Sequence, residues 1–542
     1  MRRRGNLLQK GMQNITNNKS FLRLESWLSN HVDLVAFCIV IFGFFVYIHY
    51  AAGYYLNPDE ASHFVFANRE TLLDAYLGSR SLAHPPLAIM VLHLFLKLGK
   101  SVLMLRLLSA LFCIAAAWLF FKWIKRVYGS VEAITGLVLL TFSPAMISAA
   151  SEVRQYALLL FFICGALYFM QRFLEHKSLW FGCLYSVFLY GAILTHYSAI
   201  WITLTFAIYV TILFWLENPG RRVWVFWCLS QVCVFVLYVL LYITHIRWMM
   251  NSGFAQNQIY GYLKSMYFFP GEKTLTVFIF RSFFDFFTYM TGGKYAGGIA
   301  MICFLLGIAS VFRKHTSGTP HQDRRYDMFL LIFPFVAGCT GAITRIMPFG
   351  GSRHSIYLLP FAITLIALCV VRLFSLKRIS FVIMVAALLL PMWLSSLHIP
   401  NAEPGMSDLH MQAALKQMNE KVPADSILFV DDMTYYVLGY YLARDRSFLK
   451  GISHENTSEY RMGKYRILSA RSFAFSPENF DCELATISRL SDIASGDSVW
   501  IITVGWGGGS MKFNDFLSNY SPGRIRERQN FGPITLFQTS IR

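Results

Sequence analysis

About eleven apolar runs, each close to twenty residues long, constrain the fold of this chain more than any other feature of its sequence. An α-helix needs ~20 apolar residues to cross the hydrocarbon core of a bilayer. Of the 542 residues, 56% are hydrophobic and only 14% are charged, a balance that is rare in a soluble globular protein. The runs lie at about 32–52, 103–121, 131–149, 156–171, 178–195, 197–216, 223–244, 295–312, 328–344, 355–371 and 379–398. The sequence therefore predicts a polytopic α-helical membrane protein embedded in a lipid bilayer.

The net charge of +18 belongs to the apolar part of the chain. Residues 1–399 contain 33 Lys and Arg against 14 Asp and Glu, whereas residues 400–542 contain 15 against 16. Basic residues in the short loops of a membrane protein set its orientation, so this excess does not indicate a nucleic-acid-binding surface. We expect no nucleic acid among the partners.

The basic residues also predict which loops face the cytoplasm, because Lys and Arg accumulate in short cytoplasmic loops. If the stretch 85–98 lies along the membrane surface, every strongly basic turn falls on the side of the Arg-rich N-terminus. These turns hold Lys122/Lys125/Arg126, Arg172/His176/Lys177, Arg221/Arg222, the segment 313–325, and Arg372/Lys377/Arg378. If 85–98 crossed the membrane, all five turns would lie outside unless another crossing had been missed. We therefore expect eleven spans, with 85–98 as an amphipathic element of the first outer loop.

Three parts follow from this arrangement: a basic cytoplasmic N-terminus (1–31), a transmembrane part (32–399) and an extracytoplasmic C-terminal part (400–542). In the C-terminal part, MQAALKQMNEKV has the pattern of an amphipathic helix. SILFVDD and SVWIITVGW have the pattern of buried strands, and ITLFQTSI that of a closing strand. This alternation predicts a small soluble α/β domain.

Acidic residues at the outer face indicate function, because carboxylates near a membrane are costly and tend to mark a site. Asp59 and Glu60 are adjacent in NPDEASHF, just after the first run, and Glu152 lies in a short outer turn. For Glu152 alone, anchoring at the membrane interface is an equally good interpretation. Four other carboxylates lie in the basic inner loops, where we expect water to solvate them: Glu175, Glu217, Asp323 and Asp327.

Histidine and arginine residues accumulate on the same outer face, and each of them alone is more simply an interfacial residue with satisfied polar groups. They are His63, His84, Arg106, His196, Arg247, Arg345, Arg353 and His354, with Arg154 and Tyr156 close to Glu152. Guanidinium groups hold phosphate bidentately, and carboxylates act as bases or metal ligands. Together these residues indicate a reaction at a lipid-borne phosphate.

Five segments occur in an order that resembles the GT-C-type glycosyltransferases, which use polyprenyl-phosphate sugars. They are NPDEASHF, HPPLAIMVLHLFLKLG, RLLSALFCIAAAWLFF, SPAMISAASEVRQYALLL and LTHYSAIW. The class includes the dolichyl-phosphate-mannose protein mannosyltransferases and the bacterial aminoarabinose transferases that act on lipid A. The resemblance covers about residues 30–375, and the turn GGSRHSIYLLP fits the bacterial branch.

The resemblance implies a GT-C-like fold and an inverting hexosyl- or pentosyltransferase of the bacterial inner membrane. Its donor would be a polyprenyl-phosphate-linked sugar, and its acceptor an extracytoplasmic lipid, glycan or protein. Asp59 would be the catalytic carboxylate, supported by Glu60 and Glu152. The resemblance, together with the predicted position on the outer side of the membrane, implies a set of residues that bind the donor. They are His63, His84, Arg154, Tyr156, His196, Arg247, Arg353 and His354. Some relatives use a divalent metal ion and others do not, so the cofactor stays open, with the three carboxylates as its ligands if it is present.

Three other functions share parts of this pattern. A transporter or flippase for a lipid-linked sugar has a similar number of spans, but it usually holds ionisable residues near the middle of the membrane. A structural scaffold would not need Asp59 and Glu60 in its first loop. A lipid-linked polysaccharide ligase or polymerase has the same substrate class and topology, and the sequence does not separate it from a transferase.

Overall fold

The computed structural model describes residues 19–251, 259–312, 324–376, 406–444, 452–453, 457–470, 472–487, 498–505, 509–520 and 524–540. Up to Leu376, the described residues are almost entirely helical. The principal helices are Lys19–Ala52, Pro58–Ala67, Leu72–Gly78, Leu87–Phe95, Val102–Val127, Ser130–Thr141, Pro144–Ala150, Tyr156–His176, Leu179–Thr195, Ala199–Glu217, Arg221–Leu241, Leu275–Thr291, Lys294–Phe312, Arg324–Ile343 and Leu359–Leu376.

Seven described helices are long and apolar enough to cross a membrane, or up to nine spans if each of two bent helix pairs counts as one. The apolar helix Leu179–Thr195 has 17 residues and is slightly shorter. The predicted polytopic helical fold is thereby confirmed. The predicted run at 379–398 lies outside the described residues.

Both bent pairs depart from the simple spans that the sequence predicts. The run at 131–149 is broken between Ser130–Thr141 and Pro144–Ala150, which meet at 61°. Pro144 lacks an N–H and starts the second helix, a position that proline tolerates. The segment 245–294, which lies between two of the predicted runs, contains the helix Leu275–Thr291, which is bent by 112° against the helix that begins at Lys294. Phenylalanines on one face of Leu275–Thr291 are buried, so it packs on the bundle.

The ambiguous stretch 85–98 forms the helix Leu87–Phe95, which has nine residues. Nine helical residues extend about 14 Å, less than half the thickness of a bilayer core. Within this helix, His93 is buried and its Nδ1 donates to the carbonyl oxygen of Ala67 at 2.9 Å. The helix is therefore too short to cross the membrane, in agreement with the prediction.

Ion pairs join the loops that we expect to lie inside. Asp33 accepts from Lys122 at 2.9 Å and from Lys125 at 3.0 Å. Further pairs join Arg126 to Glu175 and Lys177 to Glu217. The expectation that water solvates all the inner carboxylates is wrong for Asp327 and Glu217. Asp327 is buried and accepts a hydrogen bond from the hydroxyl of Tyr209 at 3.0 Å, and the Glu217 side chain is 8% exposed. Asp323 lies outside the described residues.

The C-terminal part forms a seven-stranded mixed sheet, which confirms the predicted α/β domain. Its strands are β1 (Ile427–Val430), β2 (Ile452–Ser453), β3 (Thr457–Met462), β4 (Tyr465–Ala470), β5 (Ser498–Thr503), β6 (Ile525–Phe531) and β7 (Ile534–Ser540), in the spatial order β2-β3-β4-β1-β5-β7-β6. β1 runs parallel to β4 and β5, and the other neighbours are antiparallel. The helices are Asp408–Lys421, Asp432–Ala443, Phe480–Ile487 and Gly509–Asn519.

Side chains alternate between the two faces of this sheet, as the strand period requires. Leu428 and Val430 of β1 join one apolar core, and Phe429 joins another. The second core lies under the helices Phe480–Ile487 and Gly509–Asn519. The first core also contains residues of the segment that follows the first span, including Tyr55 and Phe64. The domain and the first outer loop therefore share one hydrophobic core.

Direct contacts hold the domain on this loop. The Tyr55 hydroxyl donates to the carbonyl oxygen of Val504 at 3.2 Å, and the Tyr440 hydroxyl donates to that of Lys100 at 2.9 Å. At Gly439, an added Cβ would approach a methyl group of Val65 to 3.2 Å, so the helices Pro58–Ala67 and Asp432–Ala443 pack closely. The first outer loop and the C-terminal domain therefore lie at the same end of the molecule.

Candidate active site

A capped helix start holds the adjacent carboxylates of the first outer loop. The side chain of Asn57 accepts from the backbone N–H of Glu60 at 2.9 Å, and the Glu60 carboxylate accepts from the N–H of Asn57 at 3.1 Å. Pro58 occupies the first helical turn, where its missing N–H costs nothing. Successive residues of a helix are rotated by ~100°. The side chains of Asp59 and Glu60 therefore point in different directions.

Glu60 forms a buried clamp with Arg106. Two parallel hydrogen bonds, of 2.8 and 2.7 Å, join the guanidinium to the carboxylate, and neither side chain is more than 3% exposed. The N–H of Val153 also donates to Glu60, at 2.9 Å. The remaining N–H groups of Arg106 donate to the carbonyl oxygens of residues 51, 54 and 55. Both charges are thus fully bonded, and the clamp ties the first outer loop to the span Val102–Val127.

Asp59 carries its two carboxylate oxygens in unequal surroundings. Oδ2 lies 3.1 Å from Nη1 of Arg154 and also accepts from Nη2 of Arg353. Oδ1 receives no hydrogen bond or ion pair from any residue that the structure describes. The side chain is 21% exposed. One oxygen is therefore held by two cations while the other is available to a ligand.

Glu152 stands beside the same cations. Its Oε2 lies 3.6 Å from Nη1 of Arg353, and its Oε1 accepts from the hydroxyl of Ser148 at 3.1 Å. Glu152 is buried, as is the turn that carries it. Arg353 therefore bridges two carboxylates that come from separate outer segments.

Tyr156 lies at the centre of the basic residues. The guanidinium carbons of Arg154 and Arg353 lie 5.8 and 6.0 Å from the centroid of its ring. The rings of His196 and His354 lie 5.5 and 6.3 Å from the same centroid. Cations at this distance from an aromatic ring are stabilised by its quadrupole. The ring of Tyr156 thus supports both arginines that hold Asp59.

Two buried histidines lie behind Asp59. Nδ1 of His63 donates to the backbone oxygen of Asp59 at 2.8 Å, and Nδ1 of His84 donates to that of Pro85 at 3.0 Å. The two Nε2 atoms are 2.9 Å apart, and Gln155 Oε1 lies 3.1 Å from that of His63. These contacts connect the segment of the HPP motif to the segment of Asp59.

Comparisons with known proteins show a similar family and a similar fold. The model of the dolichyl-phosphate-mannose-protein mannosyltransferase family matches residues 83–248. The crystal structure of ArnT from Cupriavidus metallidurans in the apo state superposes with a TM-score of 0.51 at 11% identity, over 92% of this chain and 97% of that one. Residues 83–248 are thus similar to this mannosyltransferase family, which agrees with the resemblance found in the sequence. The fold of the chain is similar to that of ArnT.

Two further structures are similar to this chain at lower scores. The oligosaccharyltransferase AglB from Archaeoglobus fulgidus gives a TM-score of 0.46 at 9% identity, over 76% of this chain and 63% of that one. The arabinofuranosyltransferase AftD from Mycobacteria gives 0.42 at 12% identity, over 95% of this chain and 40% of that one. No curated protein sequence matches the enzyme significantly.

Burial and charge act together on the titratable groups around Asp59. Burial favours a higher pKa for Asp59, but the guanidiniums of Arg154 and Arg353 outweigh it and hold the pKa well below its usual value. Burial, together with the charge of Arg154, lowers the pKa of His63 well below its usual value. Burial lowers the pKa of His84 to about 4, although its bond to Pro85 acts in the other direction. At neutral pH the site therefore holds an ionised carboxylate, two guanidiniums and neutral imidazoles.

Most of the predicted site residues come together in the structure. Hydrogen bonds, ion pairs or ring contacts connect Asp59, Glu152, His63, His84, Arg154, Tyr156, His196, Arg353 and His354, and Glu60 lies directly behind them in its clamp. Arg247 is the exception: it is exposed, and no described residue joins it to this group. Its sidedness was predictable, but its lateral position in the bundle was not.

The structure also gives roles to residues that the sequence left without one. The sequence places Arg106 among the basic residues of the outer face, but nothing in the sequence indicates that it pairs with Glu60. Gln155, which contacts His63, lies within the SEVRQY segment next to Glu152 and was not singled out. Arg345 donates to the backbone of Phe268 and stacks on Phe269, so it lies away from Asp59.

The candidate carboxylates do not fit a metal site. Asp59 and Glu152 are turned towards Arg353, and all acceptor positions of Glu60 are taken in its clamp. Among the described residues, no group of three or more His, Cys, Asp or Glu side chains is arranged to hold a metal ion.

Proposed function

We propose that the enzyme transfers a sugar from a polyprenyl-phosphate carrier to an acceptor hydroxyl, with inversion, at the outer side of the bacterial inner membrane. The state of Asp59 is the observation that carries this proposal. Two guanidiniums fix one oxygen of a carboxylate whose other oxygen is available, and guanidiniums are also the groups that bind phosphate. A base and a phosphate receptor thus lie side by side.

In the proposed reaction the acceptor hydroxyl attacks C1 of the donor sugar from the face opposite the phosphate. A bond forms between the acceptor oxygen and C1, and the bond between C1 and the phosphate oxygen breaks with its electron pair staying on the phosphate. Asp59 takes the hydroxyl proton on Oδ1. Arg154 and Arg353 stabilise the phosphate as its charge increases. One displacement of this kind needs one base and inverts the anomeric configuration.

Glu60 and Glu152 act in this proposal as positioning residues. The Glu60–Arg106 clamp fixes the first turn of the helix that carries Asp59. Glu152 lies 3.6 Å from Nη1 of Arg353, whose Nη2 binds Asp59, and so helps to orient the guanidinium. Residues that hold a reacting group in place make a large contribution to rate, because the reaction then needs little further ordering.

The lipid part of the donor has a plausible path beside the short helix Leu87–Phe95. A narrow cavity of about 20 Å³ lies between this helix and two spans. Leu92, Leu108 and Phe112 form its apolar wall, and His63 and Arg154 lie at its polar end. An isoprenoid chain that widened this cavity would bring its phosphate to Arg154. His196 and His354 then stand where neutral imidazoles donate hydrogen bonds to the phosphate or the sugar, while the N–H of His84 is bound to the backbone of Pro85.

The orientation of the enzyme is part of the proposal. The basic inner turns are joined by ion pairs at one end of the bundle, and the C-terminal domain packs on the Asp59 loop at the other. With the basic end in the cytoplasm, Asp59 and the domain face the outside. The acceptor would then be an extracytoplasmic lipid, glycan or protein.

Asp59→Asn tests the proposal. The variant keeps the size of the side chain and removes its basic oxygen, so transfer should fall by ~10²- to 10⁴-fold, the usual contribution of a positioned base. Mass spectrometry of the envelope lipids and glycans from cells carrying the variant should show the loss of one glycosyl unit. The mass of that unit also distinguishes a transferase from a polymerase or ligase, which adds a longer glycan.

Asp33→Asn is the matched control, because Asp33 is also held by two cations but lies at the opposite end of the bundle. This variant should keep the glycosyl unit. If Asp59→Asn cells retained it as well, Asp59 would not be the base, and Glu152 would have to be tested in its place.

A further inference from the structure

Two guanidiniums bind the same oxygen of Asp59, and both have N–H groups that could bind another anion. Arg154 and Arg353 both bind Oδ2, and Arg353 also lies 3.6 Å from Glu152. Nε of Arg154 is buried and has no hydrogen-bond acceptor among the described residues. A buried guanidinium N–H without an acceptor is costly. The arginine pair therefore has unused capacity to bind an anion beside the carboxylate that it already holds.

This arrangement is poorly suited to base catalysis as it stands. A general base works best when its pKa lies near the operating pH. Two cations hold the pKa of Asp59 well below its ordinary value, so its carboxylate has little tendency to take a proton from a hydroxyl. The geometry thus supplies a base that is inactive while both arginines are bound to it.

We propose that the donor phosphate displaces the Asp59 carboxylate from Arg154 and Arg353, and that this exchange makes Asp59 an effective base. The inference rests on the proposed function and adds an order of events, in which the donor binds before the proton is transferred. In the free enzyme the Asp59 carboxylate occupies the anion-binding position between the two guanidiniums. When the donor binds, its phosphate replaces the carboxylate there. Proton transfer from the acceptor then follows donor binding.

The surroundings of Asp59 favour this change once the guanidiniums have turned to the phosphate. Burial continues to act on the carboxylate and favours its neutral form. The other groups facing it from the packed segments are His63, His84, Glu152, Tyr156, Tyr262 and His354, and none of them is a permanent cation. The phosphate adds negative charge to the same site. Burial and the phosphate charge therefore raise the pKa of Asp59 in the complex, and only His63 acts in the other direction.

Binding of the anion is linked to binding of a proton by Asp59. A carboxyl group whose pKa is higher in the complex than in the free enzyme binds a proton when the ligand binds. Anion binding should therefore take up protons, and the uptake should increase as the pH falls from 7 towards 5. Affinity should rise over the same interval, since a proton that binds to Asp59 in the complex stabilises the bound state.

Calorimetry with farnesyl methyl phosphate measures this exchange without any transfer reaction. The probe is a phosphodiester like the donor, keeps one negative charge throughout this pH range and has no sugar to lose. Titration of the purified enzyme in two buffers of different ionisation enthalpy gives the number of protons bound. We expect uptake by the wild-type enzyme and none by Asp59→Asn.

The same variant should bind the probe more tightly, because the internal competitor is gone. We expect about a tenfold gain, the factor that corresponds to a charge-assisted hydrogen bond of ~1.4 kcal/mol. Asp33→Asn should leave both affinity and proton uptake unchanged, since its carboxylate is bound by lysines far from the site.

The possible failures have separate meanings. If the wild-type enzyme binds the probe without proton uptake, and Asp59→Asn binds it no more tightly, the exchange is wrong while the proposed donor site stands. If neither protein binds the diester, the donor site itself is wrong.

Discussion

At the basic end of the helix bundle, Asp33 pairs with two lysines at the surface, whereas at the other end Glu60 pairs with Arg106 in the interior. Asp33 is 52% exposed beside its two lysines, and Glu60 is 0% exposed beside Arg106. Exposed pairs contribute ~0–1 kcal/mol because water competes with them. A buried charge needs a full set of polar partners, because an unpaired charge in the interior is strongly destabilising. A substitution of either partner is therefore poorly tolerated. The difference teaches that number and type of charges are poor guides to a site, and that their burial is a better one.

Removing one arginine at each end of the bundle should show the largest difference in stability between the buried and the exposed pair. Arg106→Met leaves Glu60 buried without its partner, and we expect a loss of about 3–5 kcal/mol in the free energy of unfolding. Arg126→Met removes an exposed partner of Glu175 and should cost ~0–1 kcal/mol. Denaturant or thermal unfolding of the purified variants in detergent measures both. Similar losses for the two variants would erase the contrast between the ends.

Replacing Arg353 tests whether the interior arginines serve a ligand as well as the fold. Arg353→Lys keeps the charge but cannot bridge Asp59, Glu152 and a phosphate with one planar fork. We expect the KM for the polyprenyl-phosphate sugar to rise about tenfold, the effect of one charge-assisted hydrogen bond. Arg281→Lys is the control, because Arg281 forms an exposed pair with Asp285. An unchanged donor KM for Arg353→Lys would remove Arg353 from the phosphate site.

Labelling with an impermeant thiol reagent sharpens the comparison by assigning each end to one side of the membrane. In a Cys482→Ser background, new cysteines at the exposed positions Leu73 and Leu409 should react in intact cells. A cysteine at Arg222, in a predicted inner turn, should react only after the membrane is permeabilised. Reaction of Arg222→Cys in intact cells would reverse the proposed orientation.

The long apolar runs were enough to predict the spans, because a bilayer imposes a requirement on length alone. The run at 103–121 became Val102–Val127, and that at 156–171 became Tyr156–His176. The break at Pro144 and the helix Leu275–Thr291 were not anticipated, since both depend on how neighbouring helices pack. The strands β1, β5 and β7 were predicted correctly, because each is a short apolar run that is almost entirely buried.

The site was predictable as a set of residues but not as an arrangement. Asp59 and Arg353 are 294 positions apart, so nothing local in the sequence indicates that they pair. The neighbours Asp59 and Glu60 look equivalent in the sequence, yet a rotation of ~100° along the helix gives them different partners. Arg247 shares the predicted side of the membrane and still lies outside the cluster, because sidedness fixes depth and leaves the lateral position undetermined.

The close approach of Val65 to Gly439 has a consequence for the biosynthesis of the enzyme. The segment that carries Asp59 leaves the ribosome early, together with the first span. The helix that covers it, Asp432–Ala443, is translated only after every described span has been made. During synthesis the apolar side of the Asp59 segment therefore waits at the membrane surface without its cover. Under the proposed function, a nascent chain would complete the Asp59 loop only after its last domain had folded, so an unfinished chain would be kept from acting on a donor.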